Sequence, residues 1–210
     1  AVQDGQIAVG VATWSEGSVY RGRVYVMGDA GWEPLGGYFS DQYPSALAWY
    51  QGRLYTAGRV SGPSGPLVNV WDGAAWQPAG PELSGASFDF VKSLVVFGGE
   101  LVAGGRFQSS ESINSPVLHF ESWNGTRWAP LGYGQPSANP LQRLRVIGSD
   151  LYAVGQFNGD HFYGIARWDG TAWHAGEDHL RWMAQDVASF GGEMYAGGFL
   201  SGDGPQVCSS

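Results

Sequence analysis

The chain is short of what many functional readings require. Among 210 residues there is one lysine, Lys92, the arginines are scattered, and the formal net charge is -8. Recognition of a phosphate backbone needs a concentrated basic face, so no nucleic-acid partner is expected, and anionic membrane surfaces are disfavoured for the same reason. Only 14% of residues are charged, too few for a disordered chain or a coiled coil. The longest apolar runs, such as "SLVVF" from Ser93 to Phe97, are too short to insert across a bilayer. Cys208 is the only cysteine, so a disulfide framework within the chain is impossible. Cys208 reads as a small packing residue, with an intermolecular bridge as the alternative. The chain opens "AVQDGQ", without a basic-then-apolar leader, which fits a cytosolic protein or a mature secreted one.

Chemical motifs are equally scarce. There is no Cys-x-x-Cys and no His-Glu-x-x-His, and His119, His161, His174 and His179 fall at unrelated positions, so no zinc site is expected. The acidic loops "NGDHFYG" from Asn158 and "SGDG" from Ser201 lack the ligand density of a calcium loop. "GRVSGPSGP" from Gly58 has no Lys-Ser or Lys-Thr behind it, and no Gly-x-Ser-x-Gly precedes a helix. The expectation is a chain with no cofactor and no metal.

What the chain does have is glycine and tryptophan, 34 and 10 residues respectively. Glycine punctuating many short elements favours an all-β fold. Two stretches recur. The first is "NVWDGAAWQPAG" from Asn69, "ESWNGTRWAPLG" from Glu121 and "GIARWDGTAWHAG" from Gly164, with "YVMGDAGWEPLG" from Tyr25 keeping only the second Trp. Asp-Gly and Asn-Gly are strong hairpin signals because both residues tolerate positive φ. The second is an apolar β-forming run closed by Gly10, Gly58, Gly105, Gly155 or Gly198, at intervals of 48, 47, 50 and 43. Trp32, Trp76, Trp128 and Trp173 repeat at 44, 52 and 45. Two independent motifs share one period.

One unit reads as four strands. Strand a is apolar (Ala46 to Tyr50, Leu94 to Phe97, Leu144 to Ile147, Val187 to Phe190) and would line a central channel. Strand b is the "LYAGG" run, strand c ends in the Trp-Asp-Gly turn, and strand d carries the second Trp. Four short strands per ~45 residues is the signature of a β-propeller blade. The prediction is a single all-β domain of about five four-stranded blades, with repeats near 1–37, 38–83, 84–134, 135–179 and 180–210. Glycine in strand b would permit close approach where blades converge. The tryptophans would be wedges between adjacent sheets. The ends are ragged: residues 1–3 align with the end of strand a, and "GPQVCSS" stops within strand c. Length divided by period favours a five-bladed ring. A fragment of an open array would instead expose edges at Ala1–Gln3 or Gly204–Ser209 and associate through them.

The pattern "LYAGGxF…IARWDGxxWxxLG" resembles the repeats of secreted bacterial β-propellers related to kelch-like and Rax2-like cell-surface proteins. Phe107, Phe157 and Phe199 match the "GGxF" ending, whereas Val60 and Ala12 depart. Trp71-Asp72-Gly73 and Trp168-Asp169-Gly170 match the turn, Trp123-Asn124-Gly125 matches with Asn, and Met27-Gly28-Asp29 departs. The resemblance implies a propeller fold, an extracellular or cell-surface address, and a binding or scaffolding role without a shared catalytic motif.

Loops on the b–c and d–a side are rich in aromatic and polar residues. Trp14, Tyr38, Asp41, Tyr43, Asp160, His161, Tyr163, Asp178, His179 and Trp182 are therefore the candidate ligand-binding residues. A flat ring face beside polar groups suits sugar recognition. The leading expectation is a non-catalytic module that recognises a glycan or a protein. Two alternatives stand beside it. One is a glycan-active hydrolase using a carboxylate pair ~5–9.5 Å apart, drawn from Glu16, Asp41, Glu82, Asp89, Glu111, Asp160, Glu177, Asp178 and Asp203. The other is an assembly element completed by another chain.

Overall fold

The computed structural model of the protein describes residues 1–15, 19–39, 42–60, 65–80, 83–85, 89–109, 112–132, 135, 138–157, 164–175 and 182–200. These residues are all-β. Unit 1 comprises β1 (Val2–Gln3), β2 (Gln6–Ser15), β3 (Val19–Gly28) and β4 (Gly31–Phe39). Unit 2 comprises β5 (Gln42–Tyr50), β6 (Arg53–Val60), β8 (Val68–Trp71) and β9 (Trp76–Pro78), with the two-residue strands β7 (Gly65–Pro66) and β10 (Ser84–Gly85) pairing beside it. Unit 3 comprises β11 (Phe90–Phe97), β12 (Glu100–Ser109), β13 (Ser112–Trp123) and β14 (Trp128–Pro130). Unit 4 comprises β15 (Ala138–Ile147), β16 (Asp150–Phe157), β17 (Ile165–Trp168) and β18 (Trp173–Ala175). Unit 5 contributes β19 (Trp182–Phe190) and β20 (Glu193–Leu200). Units 1 to 4 are antiparallel a-b-c-d meanders, unit 5 is described for its a–b hairpin, and β11 also bridges to β6 of unit 2 at Phe90 and Arg59. The fold is propeller-like, with strand a of each unit packed on its neighbour.

The turns correct the hairpin reading. Paired positive φ belongs to the a–b turns: Asp4-Gly5, Gln51-Gly52, Gly98-Gly99 and Gly191-Gly192. Two such residues match the right-handed twist of the flanking strands. In the Trp-Asp-Gly turns only Gly73, Gly125 and Gly170 have positive φ. The preceding Asp or Asn works through its side chain instead. Asp72 Oδ1 accepts from the backbone N–H groups of Ala74 and Ala75, both at 2.8 Å. Asn124 caps Thr126 and Arg127, and Asp169 caps Thr171 and Ala172, in the same way. The motif is an Asx-capped four-residue loop.

That loop holds two tryptophans directly opposite each other: Trp71 with Trp76, Trp123 with Trp128, Trp168 with Trp173. Each pair is wedged against the preceding unit, as expected. The second indole N–H donates to a carbonyl in, or just after, strand d of that unit. Trp76 bonds Leu35 at 3.0 Å, Trp128 bonds Ala79 at 2.5 Å, and Trp173 bonds Leu131 at 3.0 Å. The glycine after the acceptor lies under the pair: a Cβ on Gly36 would come within 2.8 Å of Trp71, and one on Gly132 would collide with Trp168. The recurring "PLG" and "WDGxxW" stretches are thus the two halves of one joint between consecutive units.

Strand-b glycines divide into two kinds. Gly58 and Gly105 face the backbone of their own strand a, where Tyr43 and Phe90 leave no room for a Cβ. Strand a is bulged beside both positions, at Pro44/Ala46 and Val91/Ser93. Approach between neighbouring blades occurs one residue earlier. Gly10 lies under Pro44 of unit 2, and Gly104 under Leu141 and Leu144 of unit 4. The register Val2 to Ile7 and Trp49 to Leu54 makes Gly10 the counterpart of Ala57 and Val11 that of Gly58. The expected equivalence of Gly10 with Gly58 was therefore one residue out.

Unit 5 is held to unit 4 partly by charge. Arg145 Nε and Nη2 donate to the two Asp186 carboxylate oxygens at 2.8 and 2.7 Å, and Arg143 adds a bond at 3.3 Å. The Arg145 hydrogen bonds hold the Asp186 carboxyl below the usual range. A lowered folded pKa means the stabilisation is complete above the unfolded Asp value of about 3.9 and disappears as pH falls through the folded value. Protection of the β19 and β20 amides against hydrogen exchange, taken relative to the intrinsic rate, should therefore fall below about pH 4, more so in low salt. An Asp186→Asn variant should lose that pH dependence, and an unchanged profile would remove the pair from the account. The groups are about half exposed, so the effect is modest.

The described residues do not close a ring. Strand packing runs from each unit to the next, and no strand of unit 5 packs substantially on unit 1. The β1 strand is paired with β2; Gly204–Ser209 lies outside the described residues. Among the described residues β1 pairs with β2 alone and is the edge strand of its sheet.

Candidate functional site

Between units 1 and 2, at the end carrying the a–b turns, lies a cleft of about 500 Å³. Gln3, Asp4, Gly5 and Gln6 line it from the first turn, Gly52 from the second, with Met27 and Trp49 completing it. The tight turn places these side chains. Gln3 and Gln6 pair directly across it, and Asp4 takes a φ of 49° at its tip. Gln3 Nε2 donates to Asp4 Oδ2 at 3.3 Å. Trp49 packs in the core between units 1 and 2, and its indole N–H is buried with no acceptor among the described residues.

Trp49 also breaks the repeat. Cross-strand register makes Val2, Val96, Val146 and Ser189 its counterparts. The framework tryptophans recur because each joint needs them, whereas no other unit needs an aromatic at this position. Sequence reasoning passed over Trp49 because its neighbours Ala48 and Tyr50 read as ordinary strand a. A search for the departure from the repeat would have found it.

The sequence-derived candidates that fall within the described residues lie on the opposite, b–c and d–a side. Asp41, Asp160, His161, Tyr163, Asp178 and His179 fall outside the described residues, and Trp14 and Trp182 are placed by backbone alone, in β2 and β19. Tyr43 is half-buried and pairs with Arg59 in the β5–β6 ladder. Tyr38 is 53% exposed. The Arg23 guanidinium lies 4.7 Å from its ring centre and that of Arg21 5.9 Å away, with Arg23 also donating to the Gly36 carbonyl. Tyr38 and Tyr43 are thus the two candidates with described side chains. Of the carboxylates considered for hydrolysis, Asp89 is described and is buried.

Other charged groups serve the turns. Asp169 accepts from the Thr171 hydroxyl, the Ala172 and Thr171 N–H groups and His174, which together hold its carboxyl far below the usual range. His174 Nε2 lies 2.6 Å from it. Among the described residues no cluster of three His, Cys, Asp or Glu could hold a metal ion, and no helix is long and apolar enough to cross a membrane.

No protein-family model and no curated protein matches the chain. Among solved structures, the chain is similar to a Trypanosoma rangeli sialidase in complex with sialic acid. The match has 16% identity and a TM-score of 0.49, and covers 78% of this chain and 29% of that one. The chain therefore spans less than a third of the sialidase chain it matches.

Proposed function

We propose that this chain is a non-catalytic binding module, displayed outside the cell, that recognises a neutral glycan. The cleft beneath Trp49 is the observation that carries the reading. At about 500 Å³ it falls within the range of small-ligand sites. It combines an indole and a thioether with two carboxamides and one carboxylate, and this suits a ring with one C–H face and a rim of hydroxyls. Each amide both donates and accepts, while the carboxylate only accepts. Among the described residues no basic side chain lines the cleft, and the net charge is -8. Acidic sugars would meet repulsion without a counter-charge, so the preference runs to neutral ones.

Titration against neutral and sialylated oligosaccharides tests the reading. Asp4→Asn keeps a residue that tolerates the left-handed turn, and Gln6→Ala removes one carboxamide. At ~1 kcal/mol per hydrogen bond, the pair should weaken neutral-glycan binding about tenfold or more. Preference for sialylated ligands, or no glycan binding at all, would sink the proposal. Retention of binding in this double variant with loss in Tyr38→Ala or Trp14→Ala would move the site to the opposite face.

A further inference from the structure

The tip of each a–b turn holds a left-handed residue, and the units do not fill that position alike. Units 3, 4 and 5 place glycine there: Gly98, Gly148 and Gly191, with φ of 59°, 61° and 64°. Units 1 and 2 place Asp4 and Gln51, with φ of 49° and 48°. Among the described residues no other non-glycine has a positive φ. Glycine takes this conformation freely, Asp tolerates it, and a longer L side chain is strained by it. The fold therefore has no need of a polar side chain at the tip. The two exceptions are the turns that wall the cleft: Asp4 lines it directly, and Gly52 lines it from the turn that Gln51 heads. Backbone strain kept beside a binding site marks a residue retained for contact.

Gln51 is exposed, and its carboxamide is held in place. Nε2 donates to the hydroxyl of Tyr50 at 3.0 Å, and Tyr50 is itself buried. Oε1 is turned toward unit 3, where a Cβ built on Gly125 would stand 3.4 Å from it. As glycine, Gly125 leaves that acceptor uncovered from its side. Asn124, exposed and next to Gly125 in the chain, adds a donor. Its Oδ1 caps the turn, yet Asp72 and Asp169 make the same caps in units 2 and 4. The turn does not require an amide, and Nδ2 is what those carboxylates lack.

We infer that Gln51 and Asn124 form a second subsite on the unit 3 side of the unit 2 turn, and that the cleft takes one end of a neutral oligosaccharide whose further rings extend to it. This rests on the glycan reading of the cleft. The cleft lies between units 1 and 2, and the Gln51–Asn124 pair between units 2 and 3. Packed sheets stand ~10 Å apart, so the two stations are separated by more than one pyranose ring covers. The pair offers an uncharged acceptor and an uncharged donor, which suits ring hydroxyls.

Titration by calorimetry and NMR with glucose, galactose and N-acetylglucosamine, and with the neutral trisaccharide of each, tests the inference. A trisaccharide should bind more tightly than its parent monosaccharide. Gln51→Gly copies units 3 to 5, and Asn124→Asp copies units 2 and 4, so both should fold. Each should weaken trisaccharide binding about fivefold, the loss of one hydrogen bond, and leave monosaccharide binding unchanged. Gln51→Gly should also raise the urea midpoint, because it removes the strain. Wild type that binds neither monosaccharide nor trisaccharide overturns the glycan reading and this inference together. Binding that is independent of chain length, or trisaccharide affinity that survives both substitutions, overturns the inference alone and leaves the cleft reading in place. A urea midpoint lowered by Gln51→Gly overturns it too, since Gln51 would then be kept for the fold.

Discussion

Replacing Trp128 by alanine should destabilise the chain by about 3–5 kcal/mol, the usual range for removing a buried tryptophan. The same change at Trp32 should cost less than about 1 kcal/mol. The two residues occupy one repeat position. Trp128 is buried between units 2 and 3, faces Trp123 at a ring separation of 5.4 Å, and donates to Ala79. Removing it opens a cavity and leaves the Ala79 carbonyl, which is buried with its residue, without that donor. Trp32 latches no unit among the described residues, and its side chain is half in water. Urea midpoints read the difference directly. Similar losses at the two sites would mean that the repeat position is important for a reason within its own sheet, and the joint would no longer explain the motif.

The architecture was legible in the sequence because the joint is built from rare residues at fixed spacing. A tryptophan on each side of an Asp-Gly or Asn-Gly turn, followed by "PLG" or a relative of it, cannot recur by composition alone. The packing role expected of Trp71, Trp76, Trp123, Trp128, Trp168 and Trp173 is the one they have. The turn type was harder to read. Asp-Gly signals both a positive-φ pair and an Asx cap, and only the backbone distinguishes them. Here Asp4-Gly5 is the first kind and Asp72-Gly73 the second. Strand-b register failed at unit 1 because "AVGVA" offers one glycine where "LVAGG" and "MYAGG" offer two. The single glycine was matched to the wrong neighbour.

The candidate site was less legible for a related reason. Aromatics in loops attract notice, whereas Trp49 lies within a strand and looks like core. Its meaning comes from comparison with the valines at the same position in other units. Gln3 and Gln6 are ordinary strand-end residues until the tight turn pairs them and the next unit walls the cleft. Trp32 was equally opaque. It holds the repeat position, and its exposure among the described residues is what sets it apart from Trp128 and Trp173.

Alanine at Gly132 and at Gly52 should separate two causes that look alike in sequence. Both glycines hold positive φ, 71° and 72° respectively. An L residue in that region costs roughly 1–2 kcal/mol, and this is all that Gly52→Ala should lose, since nothing lies within 4 Å of its Cβ position among the described residues. At Gly132 the new methyl meets the Trp168 ring. That ring is buried and faces Trp173, whose N–H is bonded to the Leu131 carbonyl next to the glycine. Rigid aromatic atoms cannot swing aside as the end of a flexible chain would, so overpacking adds another ~1–3 kcal/mol. The expected order is therefore Gly132→Ala well below Gly52→Ala in urea midpoint, with Gly132→Ala also dulling the near-ultraviolet tryptophan signal. Equal midpoints would mean that backbone conformation alone selects the glycine of "PLG". The joint would then be a consequence of the turn, and not the reason the motif repeats.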